Sequence, residues 1–196
     1  KVFGQGVSLN YRVMGEEGAD DASSAATTRA AAPRPGVSRM IQPPFTQVAP
    51  EELDSQLNRR YTFGNFFEGV TNKLARTAGV AVSNDPGKTT FNPLFIYGPS
   101  GVGKTHLCHA IGLRIRQMHP EKRVLYVSAH RFRIQYTDAV IKNTSNDFLN
   151  FYQSLDVLIL DDIHELVGLN KTQMAFFHIF NNLHQLGKQL VLTADK

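Results

Sequence analysis

The chain has 196 residues, of which 42% are hydrophobic and 19% charged, and its formal net charge is +4. This length suits one ordinary domain with additional segments, and the apolar content is enough for a packed core. No apolar run approaches the length of a membrane-spanning helix, and the single cysteine, Cys108, excludes a disulfide framework. We therefore expect a cytoplasmic protein whose modest basic charge permits contact with nucleic acid without requiring it.

The N-terminal part of the chain predicts two segments. Apolar residues alternate with polar ones between Val7 and Val13, which indicates a half-buried strand and, we infer, the tail of a small domain over residues 1–14. Residues 15–56 are rich in Ala, Ser, Thr and Pro and offer too little apolar surface for a core, which indicates a flexible linker. The chain begins without Met and stops at Lys196 just after an apolar strand, so we expect a fragment of a longer protein.

The rest of the chain, from residue 57 to residue 196, predicts a domain in which strands alternate with helices. Short aliphatic runs indicate strands buried in a parallel sheet, and apolar residues at helical spacing lie between them. This alternation predicts an α/β fold with three layers, in which ligands bind at the carboxyl ends of the strands. The predicted elements are a helix capped by Thr71, strands at 94–97, 123–128, 157–160 and 190–193, and a last helix over 172–186 with Met174, Phe177, Phe180 and Leu183 facing the core.

The motif GPSGVGKT is a complete G-x-x-x-x-G-K-T phosphate loop, and it lies between the first of these strands and a helix. Gly98, Gly101 and Gly103 let the backbone turn its N–H groups toward phosphate oxygens, and the following helix directs its positive dipole end at the same anion. Lys104 adds a positive charge for the β- and γ-phosphates, and the Thr105 hydroxyl is suited to bind Mg²⁺. The motif predicts binding of a nucleoside triphosphate with Mg²⁺.

Two carboxylates directly follow the third strand and so lie at the edge of the sheet where ligands bind. Asp161 is predicted to hold Mg²⁺ through water, opposite Thr105, and Asp162 to orient or deprotonate the water that attacks the γ-phosphate. The alternative is a solvated pair that only caps the next segment.

The fourth strand ends in Thr193-Ala194-Asp195. In phosphate-loop ATPases with an additional strand, this strand lies between the first and the third, and a polar residue at its end senses the γ-phosphate. Asp195 and Thr193 are the candidates, of which we favour Asp195, and a carboxylate in a simple turn is the alternative.

Further stretches of the chain resemble the DnaA family of bacterial chromosomal replication initiators, over residues 57–196. They read RYTFGNF, NPLFIYG, DVLILDDI, FFH and GKQLVLT, whereas His164-Glu165 stands where the family more often has Gln-Phe. The resemblance implies an AAA+ ATPase domain of which the chain holds four of five sheet strands. It also implies a function in initiating replication, in which binding and slow hydrolysis of ATP control assembly at the origin and duplex melting.

Residue roles follow from the resemblance as well. The family's counterpart of residues 63–72 packs beside adenine, so Asn72 is a candidate for base contact, with a helix cap as the alternative. Thr137, Lys171 and Thr172 align best with the elements that hold single-stranded DNA. Lys171 would attract phosphate and Thr172 would donate its hydroxyl, and a surface lysine and a capping threonine are the alternatives.

The resemblance further implies self-assembly into a filament, contact with duplex origin DNA through a domain beyond Lys196, and contact with the replicative helicase through the N-terminal domain. Because the family's trans-acting arginine also lies beyond Lys196, hydrolysis by this piece alone is expected to be impaired. Three alternatives stay open on the residues: an AAA+ helicase loader or transposition helper, a small-molecule kinase, and a nucleotide-binding regulator without turnover.

Overall fold

A computed structural model of the chain describes residues 53–195. The predicted strand between Val7 and Val13 and most of the predicted linker lie outside the described residues. Five helices and four strands follow one another in an order close to that predicted. They are α1 (Lys73–Asn84), β1 (Leu94–Gly98), α2 (Lys104–Met118), β2 (Val124–Ser128), α3 (Ala129–Ile141), α4 (Ser145–Gln153), β3 (Val157–Asp161), α5 (Asn170–Gln185) and β4 (Gln189–Asp195), with a 3-10 helix at Ile163–Leu166.

The four strands form one parallel sheet in the order β1-β4-β3-β2. The last strand therefore lies between the first and the third, which confirms the placement expected from phosphate-loop ATPases with an additional strand. The register aligns Gly98 with Asp195 and Ser128 with Asp161. Because parallel strands end at one edge, the phosphate loop and the predicted acidic residues meet there.

Helices cover both faces of the sheet, which confirms the predicted three-layer α/β architecture. One core packs α1 and α2 against the sheet through residues such as Val82, Ile111 and Ile159, and the other packs α3, α4 and α5 through Phe132, Tyr152 and Ile179. Cys108 belongs to the first core and is fully buried, as predicted for a small apolar group. Burial raises the pKa of its thiol well above the usual value, which keeps it unreactive.

Two details of the predicted core are wrong. Strand β3 is buried throughout, but β1 exposes Phe95 and Tyr97, because only Leu94 and Ile96 of this strand face a core, the one with α1 and α2, and no β1 residue belongs to the core with α3, α4 and α5. On α5, Met174 and Phe177 are 62% and 61% exposed, and the buried side of the helix is one position away from the predicted stripe. The residues on that side are Ala175, Phe176, Ile179 and Leu183.

The packed region begins before residue 57, where the sequence predicted the linker to end. Leu53 is buried, and the Ser55 carbonyl accepts a hydrogen bond of 3.0 Å from the backbone N–H of Tyr126 on β2. The side chains of Arg116 and Arg131 bond Ser55 and Gln56 at 2.8 and 2.6 Å. Residues 53–56 therefore cover the edge strand β2, because its backbone groups need partners.

Helix α1 begins without the predicted Thr71 cap. Asn72 occupies the capping position, and its side chain makes no capping bond to the helix. Its amide oxygen instead accepts from the N–H of Gly69 at 2.8 Å, and its amide nitrogen donates to the Phe67 carbonyl at 3.1 Å. Asn72 therefore closes the loop that precedes the helix.

Gly87, just after α1, provides a stability test of this architecture. Its φ is +84°, and a Cβ placed there would lie 2.2 Å from the Gly187 carbonyl oxygen. Gly87→Ala should cost about 2–4 kcal/mol of unfolding free energy, because alanine is strained at this φ and the obstacle is backbone. Thermal unfolding should show a melting temperature lower by about 5–10 °C.

Gly69→Ala is the matched control, since a Cβ at Gly69 has no atom within 4 Å. An equal effect of the two substitutions would contradict the packing described between the residues after α1 and those before β4.

Candidate functional site

The phosphate loop connects β1 to α2 in the conformation that its motif predicts. Gly98 is the last residue of β1, Gly101 lies in the loop, and Gly103 directly precedes α2 with a φ of +95°. A Cβ at Gly103 would lie 3.2 Å from the ring of Phe66. Glycine is required there both for the left-handed backbone and for the close approach of this ring.

Lys104, the first residue of α2, is held inside the loop. Its side chain is only 6% exposed, and its Nζ donates to the carbonyl oxygens of Gly98 at 3.0 Å and Pro99 at 2.9 Å. The same ammonium forms an ion pair of 2.5 Å with the Asp195 carboxylate. A buried ammonium is stable only with such partners, so the loop fixes a positive charge at its centre.

Asp161, the last residue of β3, is 2% exposed and is the acceptor at the centre of a hydrogen-bond network. The hydroxyls of Thr105 and Tyr126 each donate to its Oδ2 at 2.8 Å, and the Thr193 hydroxyl donates to its Oδ1. Burial and the negative charge of Asp161 raise the pKa of Tyr126 above its usual value, so the phenol stays a donor. The carboxylate is thereby oriented toward Thr105.

Asp162 leaves the strand in a left-handed conformation, with a φ of +59°. Its N–H donates to the Thr193 hydroxyl at 2.8 Å, which fixes the turn. Burial, and then the charges of Asp161 and Asp195, raise the pKa of its carboxyl group. A carboxylate with a raised pKa beside a phosphate loop is chemically suited to take a proton.

Asp195 ends β4 beside Gly98, as the register requires. Its hydrogen bond with Lys104 lowers the pKa of its carboxyl group, so it is ionised in the pair. Thr193 is fully buried and its hydroxyl bridges Asp161 and the Asp162 N–H, so Thr193 orders the acidic residues while Asp195 reaches the loop. Asp195, the residue that the sequence favoured as the sensor of the γ-phosphate, is thus the one of the two whose side chain contacts the loop.

His164 is a further residue at this site, and sequence reasoning assigned it no role there. Its Nδ1 accepts a hydrogen bond of 3.2 Å from the Asp195 N–H, and one potential ligand atom from each of Asp162, His164 and Asp195 lies within 4.8 Å of the others. Its place in the 3-10 helix after β3 brings it to the end of β4. Tyr126 was not predicted as a site residue either, because its contact with Asp161 depends on the register between β2 and β3.

Two cavities share Gly103 and Lys104 in their walls. The first has a volume of about 230 Å³ and is polar, with Thr105, Asp162 and Asp195 among its lining residues. The second, of about 270 Å³, is mostly apolar. Its lining residues include Phe66, Asn72, Ala75, Tyr97, Val102 and Leu107. One cavity suits phosphate and cation, and the other suits a flat apolar group such as a base.

The three residues predicted to contact DNA lie on two helices away from the phosphate loop. Thr137 on α3 is exposed, and its hydroxyl donates to the Arg133 carbonyl at 2.9 Å. Lys171 and Thr172 lie in the first turn of α5, where Lys171 is exposed and Thr172 is buried. Thr172 is inside the helix rather than at its cap.

Comparison with protein families identifies the chain's relatives. The model of the bacterial DnaA ATPase domain matches residues 57–196. The chromosomal replication initiator protein DnaA of Bacteroides fragilis is 53% identical over the whole chain, which spans 42% of that relative's length. The same initiator of Deinococcus radiodurans is 44% identical over 85% of the chain and 35% of its own length.

Solved structures give the same result. The match to domain III of DnaA from Thermotoga maritima covers 71% of this chain and 58% of that structure's chain, with 40% identity and a TM-score of 0.69. The match to a replication initiator DnaA bound to AMPPCP and single-stranded DNA covers 71% of this chain and 43% of that structure's chain, with 42% identity and a TM-score of 0.68. The DnaC helicase loader is only 20% identical and shares the fold alone.

Among the residues that the structure describes, no helix combines the length and the apolar character needed to cross a bilayer.

Proposed function

Because the chain belongs to the DnaA family of bacterial chromosomal replication initiators and carries its ATPase domain, we propose that it is the ATP-dependent switch of such an initiator in the bacterial cytoplasm. The observation that carries the proposal is the set of groups that meet at one edge of the sheet. Lys104 and Thr105 come from the phosphate loop, Asp161 and Asp162 from the end of β3, and Asp195 from the end of β4.

The loop would bind the triphosphate of ATP or ADP as follows. The backbone N–H groups of Gly101 and Gly103 and the start of α2 surround the phosphates, and Lys104 offers its charge to the β- and γ-phosphates. The apolar cavity would receive adenine against Phe66. Because the oxygen and the nitrogen of the Asn72 side-chain amide already bond the adjoining loop, we propose that this side chain shapes the base cavity from its rim.

Thr105 and Asp161 fit a magnesium site. Both are oxygen ligands of the type that Mg²⁺ prefers, and the bond of 2.8 Å between them shows that their side chains converge. The hydroxyl oxygen keeps lone pairs for a cation while its proton is donated to the carboxylate. When bound there, Mg²⁺ would supply positive charge to the phosphates.

Asp162 and Asp195 would supply the remaining chemistry. Asp162, with its raised pKa, accepts a proton from the attacking water. Asp195 is paired with Lys104, and a γ-phosphate bound in the loop would compete for the same ammonium. Loss of this pair offers a direct way for the end of β4 to sense the third phosphate. We propose that hydrolysis is slow, because an arginine from a neighbouring subunit would be needed for full transition-state stabilisation.

We also propose that the surface of α3 and α5 binds single-stranded DNA. Lys171 and Thr137 are the exposed candidates for phosphate contact. Thr172 is buried, so we propose that it contributes by holding the first turn of α5 in place. Contacts to the phosphate backbone of DNA do not distinguish one base sequence from another, which suits a protein that stabilises melted DNA.

Replacing Lys171 with alanine should weaken binding of single-stranded DNA several-fold and lower the slope of log affinity against log salt by about 0.7, because one phosphate contact is lost. Fluorescence anisotropy with a labelled oligonucleotide and ATP measures both quantities. ATP affinity should not change, since Lys171 lies outside both nucleotide cavities. The control is Lys73→Ala at the exposed start of α1, and equal losses in the two variants would contradict a contact at α5.

The activity of the whole initiator is proposed on the same basis. In its ATP-bound form the full-length protein would assemble into a filament at the origin and help to melt the duplex, with other domains contacting duplex DNA and the replicative helicase. The test is origin unwinding by full-length protein with ATP, ADP or no nucleotide. We expect unwinding with ATP but not with ADP or without nucleotide, and equal unwinding under all three conditions would refute the switch.

A further inference from the structure

The metal-binding carboxylate proposed above receives a hydrogen bond from a strand that carries no nucleotide-binding motif. Tyr126 is the third residue of β2, aligned with Ile159 on β3, and Ser128 is aligned with Asp161. Tyr126 thus lies two residues short of the carboxylate along the sheet, on the same face. Two residues of strand span about 6.6 Å, a gap that a phenol ring with its hydroxyl can bridge. The observed bond of 2.8 Å to Asp161 Oδ2 is the result.

The position of the Tyr126 ring is fixed independently of Asp161. Its centroid lies 4.0 Å from that of His109 on α2, which is 6% exposed. The His109 Nδ1 accepts from the Asn58 N–H at 3.2 Å, and the Tyr126 N–H donates to the Ser55 carbonyl at 3.0 Å. The contact of its ring with His109 and the hydrogen bond of its backbone N–H therefore fix Tyr126, and its hydroxyl contacts Asp161 from this fixed position.

The Tyr126 hydroxyl is one of three donors to the Asp161 carboxylate. Asp161 is 2% exposed, and three hydroxyls donate to its two oxygens. Thr105 is itself a proposed metal ligand, and Thr193 donates to the opposite oxygen, Oδ1. Tyr126 is thus the donor to Oδ2 that does not also bind the cation. A partner of this kind fixes the orientation of a ligating carboxylate.

We propose that Tyr126 is a positioning residue for magnesium, which holds Asp161 in the orientation that receives Mg²⁺ together with Thr105. This inference rests on the proposed function, because it assigns the cation of the nucleotide site. It concerns the metal and not the nucleotide: Tyr126 lines neither of the two nucleotide cavities. Loss of its hydroxyl should therefore change the need for Mg²⁺ and leave metal-free nucleotide binding intact.

The test is Tyr126→Phe in the full-length protein, a change that keeps the ring on His109 and removes one oxygen. A fluorescent ATP analogue is titrated in EDTA and at increasing Mg²⁺. We expect the Mg²⁺ concentration for half-maximal enhancement of affinity to rise about tenfold or more, with affinity in EDTA unchanged. The control is Tyr136→Phe on α3, whose ring packs on Phe148 at 5.5 Å. It should leave both quantities unchanged.

The outcomes separate the two proposals. An unchanged Mg²⁺ requirement in Tyr126→Phe overturns the positioning role, and so does an equal loss of affinity with and without Mg²⁺, which indicates a structural effect. Failure of the wild-type protein to bind the ATP analogue under any condition refutes the proposed function instead. The melting temperature of each variant identifies general destabilisation.

Discussion

Replacing Lys104 with alanine should reduce the affinity for MgATP by about 100-fold. The ammonium is buried inside the phosphate loop, where it bonds two loop carbonyls and pairs with Asp195 at 2.5 Å. Charge-assisted hydrogen bonds to a buried group contribute about 1.5–3 kcal/mol each, and the variant also leaves the Asp195 carboxylate unpaired next to the phosphates. Both effects weaken binding, and displacement of a fluorescent nucleotide measures the loss.

Lys188 provides the matched control. It too forms an ion pair, with Asp156 at 2.6 Å, but it precedes β4 and so lies at the opposite end of that strand from Asp195. Lys188→Ala should therefore leave the ATP affinity unchanged, whatever it does to stability. An affinity of Lys104→Ala within a factor of two of the wild type would remove Lys104 from the binding site.

Replacing Asp162 with asparagine should lower the rate of ATP hydrolysis by about 100-fold to 10,000-fold while ATP remains bound. The reason is that general-base catalysis contributes a factor of this size, and asparagine cannot accept the proton. Burial and the negative charges of Asp161 and Asp195 raise the pKa of Asp162. The neutral asparagine in the variant therefore also removes a negative charge that repels these carboxylates and the phosphates. We therefore expect ATP affinity equal to or above that of the wild type.

Phosphate release from the full-length protein, measured at saturating ATP, gives the rate. Glu165→Gln is the control, because Glu165 is an exposed carboxylate three residues farther along the chain. Its hydrolysis should match the wild type. An unchanged rate in Asp162→Asn, with normal ATP binding, would show that another group activates the water.

The fold and the nucleotide site were predictable because their signals are local. The phosphate loop depends on glycines and one lysine within eight consecutive residues, and the structure gives it the expected conformation. The position of β4 was not a local signal: it was expected from phosphate-loop ATPases with an additional strand, and the strand order confirms it. Asp161 and Asp162 were predicted at the sheet edge because they come at the end of a buried aliphatic run.

Other features depend on tertiary contacts that a sequence pattern does not contain. The buried side of α5 is shifted from the predicted stripe because Ala175 and Phe176, not Met174, face the sheet. The contact of Tyr126 with Asp161 requires strand register. Residues 53–56 looked like linker by composition, yet hydrogen bonds of Ser55 and Gln56 attach them to the domain.

The central claim is that the groups around Lys104 form a magnesium-dependent ATP site. Calorimetric titration of the full-length wild-type protein with ATP, once in the presence of Mg²⁺ and once in EDTA, tests it most directly. The structure predicts one ATP per chain and tighter binding with Mg²⁺, since Thr105 and Asp161 converge to hold the cation. Absence of binding, or equal affinity with and without Mg²⁺, would contradict it.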